Sequence, residues 1–481
     1  MPDKKLGNIY TPEYIVKMIL DIVDYKGEHI LHKTIMEPSC GDGAFLKEIV
    51  SRLIIAAKEK NLNNDEIKIL LEKNITAIEI VEEELEKAKS TISDIAAQYG
   101  IKDVNWNFYC IDALKYKNKE AFDFVIGNPP YVRVHNLDEK KRIFIKSNFK
   151  YCSSGTTDLY MSFYEFGINL LKKNGKLCYI TPNSFMFNKT AKFMRNDLLE
   201  RKLLRKIINF KDFQVFDNAT TYTAIVLLEN NLNSDTFDYE IFNGNKIVHI
   251  RTLKFDDTID KYKTWCFDSE IINKNKNKNI KYVVQNGLAT LCDKIFISSD
   301  VKKIDDKYVM FNGYKIESNI LKPIIKASKN DLKERFAIFP YISTSSGIKA
   351  INEEDFKVKF PCAYEYLLVN KDVLLKRDLE KNRNWYEYGR SQGLANILKK
   401  KICVSSVVKN NVLFREADNN TLVYSGLFIT LKDETYSFED IKKILDSTEF
   451  LEYVHKTCKY MRGGYKSLSA EKIKEYLKKD I

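Results

Sequence analysis

Asn128-Pro129-Pro130-Tyr131 closes an apolar run over Phe122–Ile126, and its residue types suit one kind of chemistry. Consecutive prolines fix φ and remove two amide donors, which leaves carbonyl oxygens free to face a ligand. Asn128 adds a side-chain carbonyl and Tyr131 a flat aromatic face. Together they fit a planar heterocycle that carries an exocyclic amine. Such an amine is a poor nucleophile because its lone pair is delocalised into the ring. Two acceptors on its hydrogens draw it toward a tetrahedral geometry and localise that lone pair. Positioning and electrostatics then suffice, and no covalent enzyme nucleophile is required.

Three further groups fall at the ends of apolar runs. Glu37-Pro38-Ser39-Cys40-Gly41-Asp42-Gly43-Ala44-Phe45 follows the first run and opens a helical pattern. Its two glycines let the backbone turn sharply and approach a ligand, although the full GxGxxG of dinucleotide binders is missing. An ordinary tight turn reads equally well from this segment alone. Glu79, in Ile78-Glu79-Ile80, could accept from both hydroxyls of a ribose; the alternative is an acid serving a helix N-terminus. Asp112, before Ala113, could accept from an adenine amino group or simply cap a helix. Gly-Asp-Gly, Glu and Asp at three successive strand ends coincide less readily by accident than any one of them.

These groups need a scaffold that brings strand ends together. Strands are predicted at Thr34–Glu37, Asn74–Ile80, Trp106–Asp112, Phe122–Ile126, Lys176–Thr181, Leu204–Phe210 and Thr221–Leu228. Helices are predicted between them at Glu13–Val23, Ala44–Lys60, Val81–Gln98, Leu159–Leu171 and Ala191–Glu200. Alternation of this kind gives an α/β, Rossmann-like sheet of parallel strands. The last two strands are too close for a crossover helix and form an antiparallel edge hairpin. Polar Asn230–Asp235 is read as a boundary, giving a catalytic domain over 1–235 and a mixed α+β domain over 236–481. The Lys/Asn-rich stretch Ile272–Ile280 is read as an exposed loop.

Composition narrows the class further. The 481 residues are 44% hydrophobic and 30% charged, as in a globular protein. No apolar run nears the roughly 18 residues that span a bilayer, and no signal peptide is visible, so a cytoplasmic protein without membrane contact is expected. Nine cysteines without a CxxC pair argue for reduced thiols and against a zinc site; no metal is expected. Net charge is +12, of which +2 falls through Asp235 and +10 beyond it. A basic second half suits a polyanion, or reflects a Lys/Asn-rich composition alone.

With those residues in hand, the chain resembles the gamma-class (Taq-type) DNA adenine-N6 methyltransferases that use S-adenosylmethionine, closely over residues 7–230 and loosely beyond. The resemblance implies that Tyr10-Thr11-Pro12 encloses the methionine end of the cofactor. It implies that the loop from Glu37, through Ser39, Gly41, Asp42 and Gly43, contacts the cofactor. Glu79 would hold the ribose, Ile80 would pack on the adenine, and Asp112 with Ala113 would read the adenine edge. Asn128, Pro129, Pro130 and Tyr131 would form the catalytic motif, with Asn128 and Pro130 also beside the cofactor. Asp158-Leu159-Tyr160 and Gly175–Pro182 match further family segments. A second aromatic that closes the base pocket opposite Tyr131 is assigned to Phe216, with Phe213 the other candidate, or else either one is simply a core residue. Gly287–Phe296, Trp385–Arg390 and Gly463–Leu468 resemble the family's Taq-type target-recognition domain. Arg390 and Lys466 are its candidate DNA contacts, or else solvated surface charges.

The expectation is therefore methylation of adenine N6 in duplex DNA by base flipping, with S-adenosylhomocysteine as product. One copy suffices for one strand, and a cognate restriction endonuclease and a solitary methylase fit equally. N4-methylation of cytosine is a neighbouring alternative, which Asn in place of Ser at position 128 disfavours. RNA bases and protein glutamine are others, which the long basic second half disfavours. Carbon-5 methylation of cytosine is excluded: Pro361-Cys362 lies far downstream of the glycine loop. A fused nuclease finds no room in the residues before that loop. A DNA-binding module with a dead site is disfavoured by the intact Asn128, Tyr131, Glu79 and Asp112.

Overall fold

The computed structural model describes residues 10–117, 121–216, 221–231, 234–256, 264–265, 267, 282–327, 333–345, 347–432 and 437–477. The chain divides into two compact units, residues 1–270 and 271–481.

In the first unit nine strands form one sheet in the order β3-β2-β1-β4-β5-β7-β6-β8-β9. They are β1 (Ile35–Glu37), β2 (Ile75–Glu79), β3 (Asn107–Cys110), β4 (Phe122–Gly127), β5 (Leu171–Pro182), β6 (Leu204–Asn209), β7 (Thr223–Glu229), β8 (Thr236–Phe242) and β9 (Ile247–Lys254). The pairs from β3 through β5 are all parallel. Helices α1 (Glu13–Ile22), α2 (Ala44–Glu59), α3 (Asn64–Asn74), α4 (Glu82–Gln98), α5 (Glu139–Asn148), α6 (Tyr160–Leu170) and α7 (Lys192–Glu200) intervene. This is the expected α/β, Rossmann-like sheet with an antiparallel hairpin. The central strands read as continuous apolar runs because helices cover both faces; β2 is buried at all five positions. Residues of α1 such as Ile15 and Ile19 share one core with Leu46, Ile49 and Leu53 of α2 and Leu85 of α4.

Two helices escaped sequence reading. α3 begins with a capping box, Asn63 accepting from the Glu66 amide while Glu66 reaches back to the Asn63 amide. α5 is capped by Asp138 and buries only Ile145, so its apolar periodicity is weak.

β6 and β7 form the expected antiparallel hairpin, with β7 inserted between β5 and β6. The hairpin is not the end of the sheet. β8 pairs parallel to β6, and β9 pairs antiparallel to β8. The boundary expected at Asp235 therefore moves to residues 270/271. The described ends of that segment are held to the sheet: Asn230 exchanges backbone hydrogen bonds with Asn174 and Gly175, and the Asp235 carbonyl accepts from the Phe255 amide. Ile272–Ile280 lies outside the described residues.

The second unit is sheet-rich, as expected for a mixed α+β domain. Four strands, Tyr282–Asn286, Leu427–Leu431, Lys401–Val404 and Phe414–Ala417, make an antiparallel sheet in that order. One apolar cluster centred on Phe296, Tyr386 and Tyr388 and another centred on Ile402, Ile429 and Phe450 fill this unit.

Candidate active site

Four parallel strands end at one edge of the sheet, and the glycine loop, Glu79, Asp112 and the Asn128–Tyr131 turn follow those ends. Glu37 is the last residue of β1 and Glu79 of β2; Asp112 follows β3 by two residues, and Asn128 follows β4 directly. An open cavity at these ends is lined by Tyr10, Thr11, the loop Glu37–Asp42, Glu79, Ile80, Asp112, Ala113 and Asn128–Pro130. The structure thus gathers nearly all of the expected cofactor residues into one place. Pro12 and Gly43 do not line it; at Gly43 φ is +88°, and a Cβ there would sit 3.1 Å from the Ala88 Cβ. Its role is the close approach of α2 to α4. Gly41 also has positive φ, with open space beside it.

Glu79 braces the glycine loop. One carboxylate oxygen accepts from the Gly41 amide at 2.9 Å, and the other from the Ile80 and Val81 amides at 2.8 and 3.0 Å. The Ile80 and Val81 contacts are those of the helix-start reading of this acid, and the Gly41 contact adds a brace to the glycine loop. Asp112 is similar: it caps a short turn through the Leu114 amide at 3.2 Å, and its other oxygen stands 3.4 Å from Lys141 Nζ. Lys141, from α5, lines the cavity and was not singled out by sequence, since an isolated Lys in a polar helix carries no motif.

Asn128 is tied into both flanks. Its Nδ2 donates to Thr11 Oγ1 at 3.1 Å, and its backbone carbonyl accepts from Ser39 Oγ at 3.3 Å. The segment preceding α1, the glycine loop and the Pro-Pro turn thus hold one another. Tyr131 donates its hydroxyl to the Ile180 carbonyl at 3.2 Å. Tyr160 and Phe216 meet its ring edge-to-face, at 6.5 and 6.2 Å between centroids. Burial pushes the Tyr131 phenol well above its ordinary range, so it stays neutral.

Phe216 is 3% exposed and its plane is inclined 68° to Tyr131. It is packed into the core at the edge of Tyr131 rather than disposed as an opposite wall, because the strand β7 that follows it is sandwiched between β5 and β6. Phe213 packs on Phe210 and Phe242 instead.

The cavity is acidic. Glu37, Asp42, Glu79, Glu84 and Asp112 all line it, against Lys141. Burial pushes the Asp42 carboxyl up, and burial, then Glu79 and Asp42, push Glu37 well up. Glu37 is 2% exposed, and its Oε2 has no hydrogen-bond partner among the described residues. A buried carboxyl oxygen of that kind is open to a hydrogen-bond partner or a cation.

The second unit's candidates fare differently. Lys466 is 3% exposed; its Nζ donates to the Cys458 carbonyl at 3.3 Å and sits 3.1 Å from the Tyr460 ring centroid. It stands on a strand, Tyr465–Ser467, whose exposed–buried–exposed pattern turns it inward, so it is a structural cation rather than a DNA contact. Arg390 is half-exposed, and Asp378 engages its fork through both its carboxylate, at 2.5 Å, and its carbonyl.

Among the described residues one group, Asp238, Glu240 and His249 on β8 and β9, has the spacing of metal ligands. Lys206 Nζ already sits 2.8 Å from Glu240, where it supplies the positive charge. No described helix is long and apolar enough to cross a membrane.

Residues 45–216 match the family described as Eco57I restriction-modification methylase. That segment runs from the start of α2 to Phe216 and includes Glu79, Asp112 and Asn128–Tyr131. The chain is similar to the type II restriction enzyme and methyltransferase RM.Eco57I of Escherichia coli, at 29% identity over 63% of this chain and 34% of that protein. It is also similar to the type II methyltransferase M.AccI of Acinetobacter calcoaceticus, at 31% identity over 52% of this chain and 42% of that one. The chain thus spans a third to two-fifths of the length of these two relatives. A solved structure of the type IIL restriction-modification enzyme MmeI in complex with DNA has the same fold over 98% of this chain and 68% of its own, with a TM-score of 0.66 and 13% identity.

Proposed function

We propose that this chain is a DNA methyltransferase that transfers the methyl group of S-adenosylmethionine to the N6 amino group of an adenine rotated out of duplex DNA. The observation that carries the reading is the Asn128-Pro129-Pro130-Tyr131 turn at the tip of β4, whose Asn128, Pro129 and Pro130 line one cavity with the glycine loop and two strand-end acids. The Eco57I-type match over residues 45–216 supports the same class.

The residues fit the cofactor. The acids of the cavity and the buried Glu37 oxygen suit a cationic ligand, and Gly41 leaves space beside the loop. Glu79 and Asp112 keep acceptor capacity for hydroxyl and amino groups, since a carboxylate accepts about four hydrogen bonds. When bound, S-adenosylmethionine supplies an electrophilic methyl on its sulfonium. The chain's part is to hold the amine that attacks it. Asn128 Oδ1 and the Pro129 carbonyl accept the two amino hydrogens, while Tyr131 offers its face to the ring. The Thr11 hydroxyl fixes the Asn128 amide, and the Ile180 carbonyl with the edges of Tyr160 and Phe216 fixes Tyr131. The proton of the methylated amine is lost to water, so no general base is assigned. Extrusion of the base costs about a few kcal/mol, recovered through these contacts and through contacts to the backbone of the duplex.

Unmethylated duplex DNA incubated with the protein and labelled cofactor, then digested to nucleosides for mass spectrometry, tests the reading. Labelled N6-methyladenine is the expected product. N4-methylcytosine would replace the base and keep the pocket. Label absent from DNA while cofactor binds would overturn the DNA assignment.

A further inference from the structure

Among the acids of the cavity, Glu37 is set apart by having nothing to neutralise it. Glu79 spends its oxygens on three backbone amides, and Asp112 stands beside Lys141. Glu37 is 2% exposed at the end of β1, with Oε2 buried and without a partner among the described residues. The titratable groups around it would all oppose its charge. Glu79 faces it from β2, Asp42 and the Cys40 thiol from the glycine loop, and the buried Tyr179 hydroxyl from β5. On the β4 side stands Gly127, whose Cβ position is 3.7 Å from the Glu37 Cγ and brings no charge. Lys141, from α5, lines the same cavity but is paired with Asp112. A carboxylate so placed is stable only when protonated or when a cation arrives.

We propose that Glu37 trades its proton for the positive charge of the cofactor, so that the site releases a proton on taking up S-adenosylmethionine and thereby discriminates it from the product. This rests on the cofactor reading above. The balance is simple: the Glu37 carboxylic acid and the cofactor cation become a carboxylate–cation pair, and one proton goes to solvent. S-adenosylhomocysteine carries one positive charge fewer, so it draws less of that proton out and leaves more readily after transfer. Linkage sets the sign. Cofactor binding favours the ionised carboxyl, so affinity rises with pH while the empty site holds the proton, by up to about tenfold per pH unit. It levels off once the carboxyl ionises unaided.

Calorimetric titration of the full chain with S-adenosylmethionine and with S-adenosylhomocysteine, in two buffers of different ionisation enthalpy, reads the proton directly. The expected result is release of about one proton with the first ligand and clearly less with the second. Glu37→Gln should abolish the release, flatten the pH dependence and narrow the preference between the two ligands by about tenfold. Asp42→Asn should retain the release but move its fall-off to lower pH, because Asp42 is one of the charges that hold the Glu37 proton. Should Glu37→Gln fail to fold, the unsubstituted protein still decides: its infrared difference spectrum should lose a protonated-carboxyl band when S-adenosylmethionine is added. Cofactor binding with no buffer dependence and no such band loss, or undiminished release in a folded Glu37→Gln protein, would overturn the Glu37 proposal alone. Failure to bind either ligand would overturn the cofactor reading itself.

Discussion

The two units use charge in opposite ways. In the first, Glu37, Glu79 and Asp112 are withdrawn from solvent by the ends of parallel strands, yet all of them line one cavity. In the second, conspicuous cations serve the fold. Lys466 is buried against Tyr460, and Lys401, fully buried, donates to the carbonyls of Asp418 and Thr421 at 2.6 and 2.8 Å. Arg390 is engaged by Asp378. Net charge therefore overstates the footprint that the second unit can offer a polyanion, whereas the first unit's modest balance of charge conceals a concentrated acidic site. A strand end aims a side chain by geometry; a surplus of lysine aims nothing.

Substitutions can sharpen or break this contrast. The largest effect is expected from Asn128→Ala, which should lower methyl transfer by about a thousandfold, the scale of a lost donor or acceptor aimed at the reacting group. Cofactor affinity measured by calorimetry should stay near wild type; retained transfer would remove Asn128 from the chemistry. Glu79→Ala should weaken cofactor binding by about tenfold or more and lower stability by about 1–3 kcal/mol, because three amides lose their acceptor. Denaturant unfolding and ligand titration separate the two, and unchanged binding would leave Glu79 as a brace only.

In the second unit the expected sign is reversed. Lys466→Met should lower unfolding stability by about 1–2 kcal/mol and leave the salt dependence of DNA binding unaltered. A salt slope reduced by about one would show that Lys466 reaches a phosphate after all. Lys401→Met tests the same principle through pH. Burial pushes the Lys401 pKa down to about 8, below its unfolded value of 10.5. The folded state thus binds fewer protons than the unfolded state between those values, and stability rises with pH across that window. The stability of wild type relative to Lys401→Met should therefore climb between pH 8 and 10.5. A difference that is flat with pH would mean that the ammonium stays charged in the fold.

Much of the first unit could be read from residues alone, for a physical reason. Strands buried on both faces must be apolar throughout, and helices that cover them must repeat at 3.6 residues, so the central strands and most of the helices declare themselves. Glu37, Glu79, Asp112 and Asn128 were legible because each directly follows or ends such a run. α5 was not: it buries little, so it lacks periodicity, and with it went Lys141. The boundary misread at Asp235 has the same origin. A polar segment joining two strands of one sheet and a polar linker between units look identical in composition, and only the pairing of β8 with β6 tells them apart.

Sequence by itself determined which groups are present and that they sit at strand ends, since chain order and the alternation of strand with helix dictate both. Tertiary structure decided which of those groups are free to act. Whether Glu79 is ligand or brace, whether Phe216 faces Tyr131 or packs at its edge, and whether Lys466 looks outward or inward all depend on neighbours distant in the chain. Short-range patterns carry the preferences of a backbone. Hydrogen-bond partners and desolvation arise only when distant segments meet.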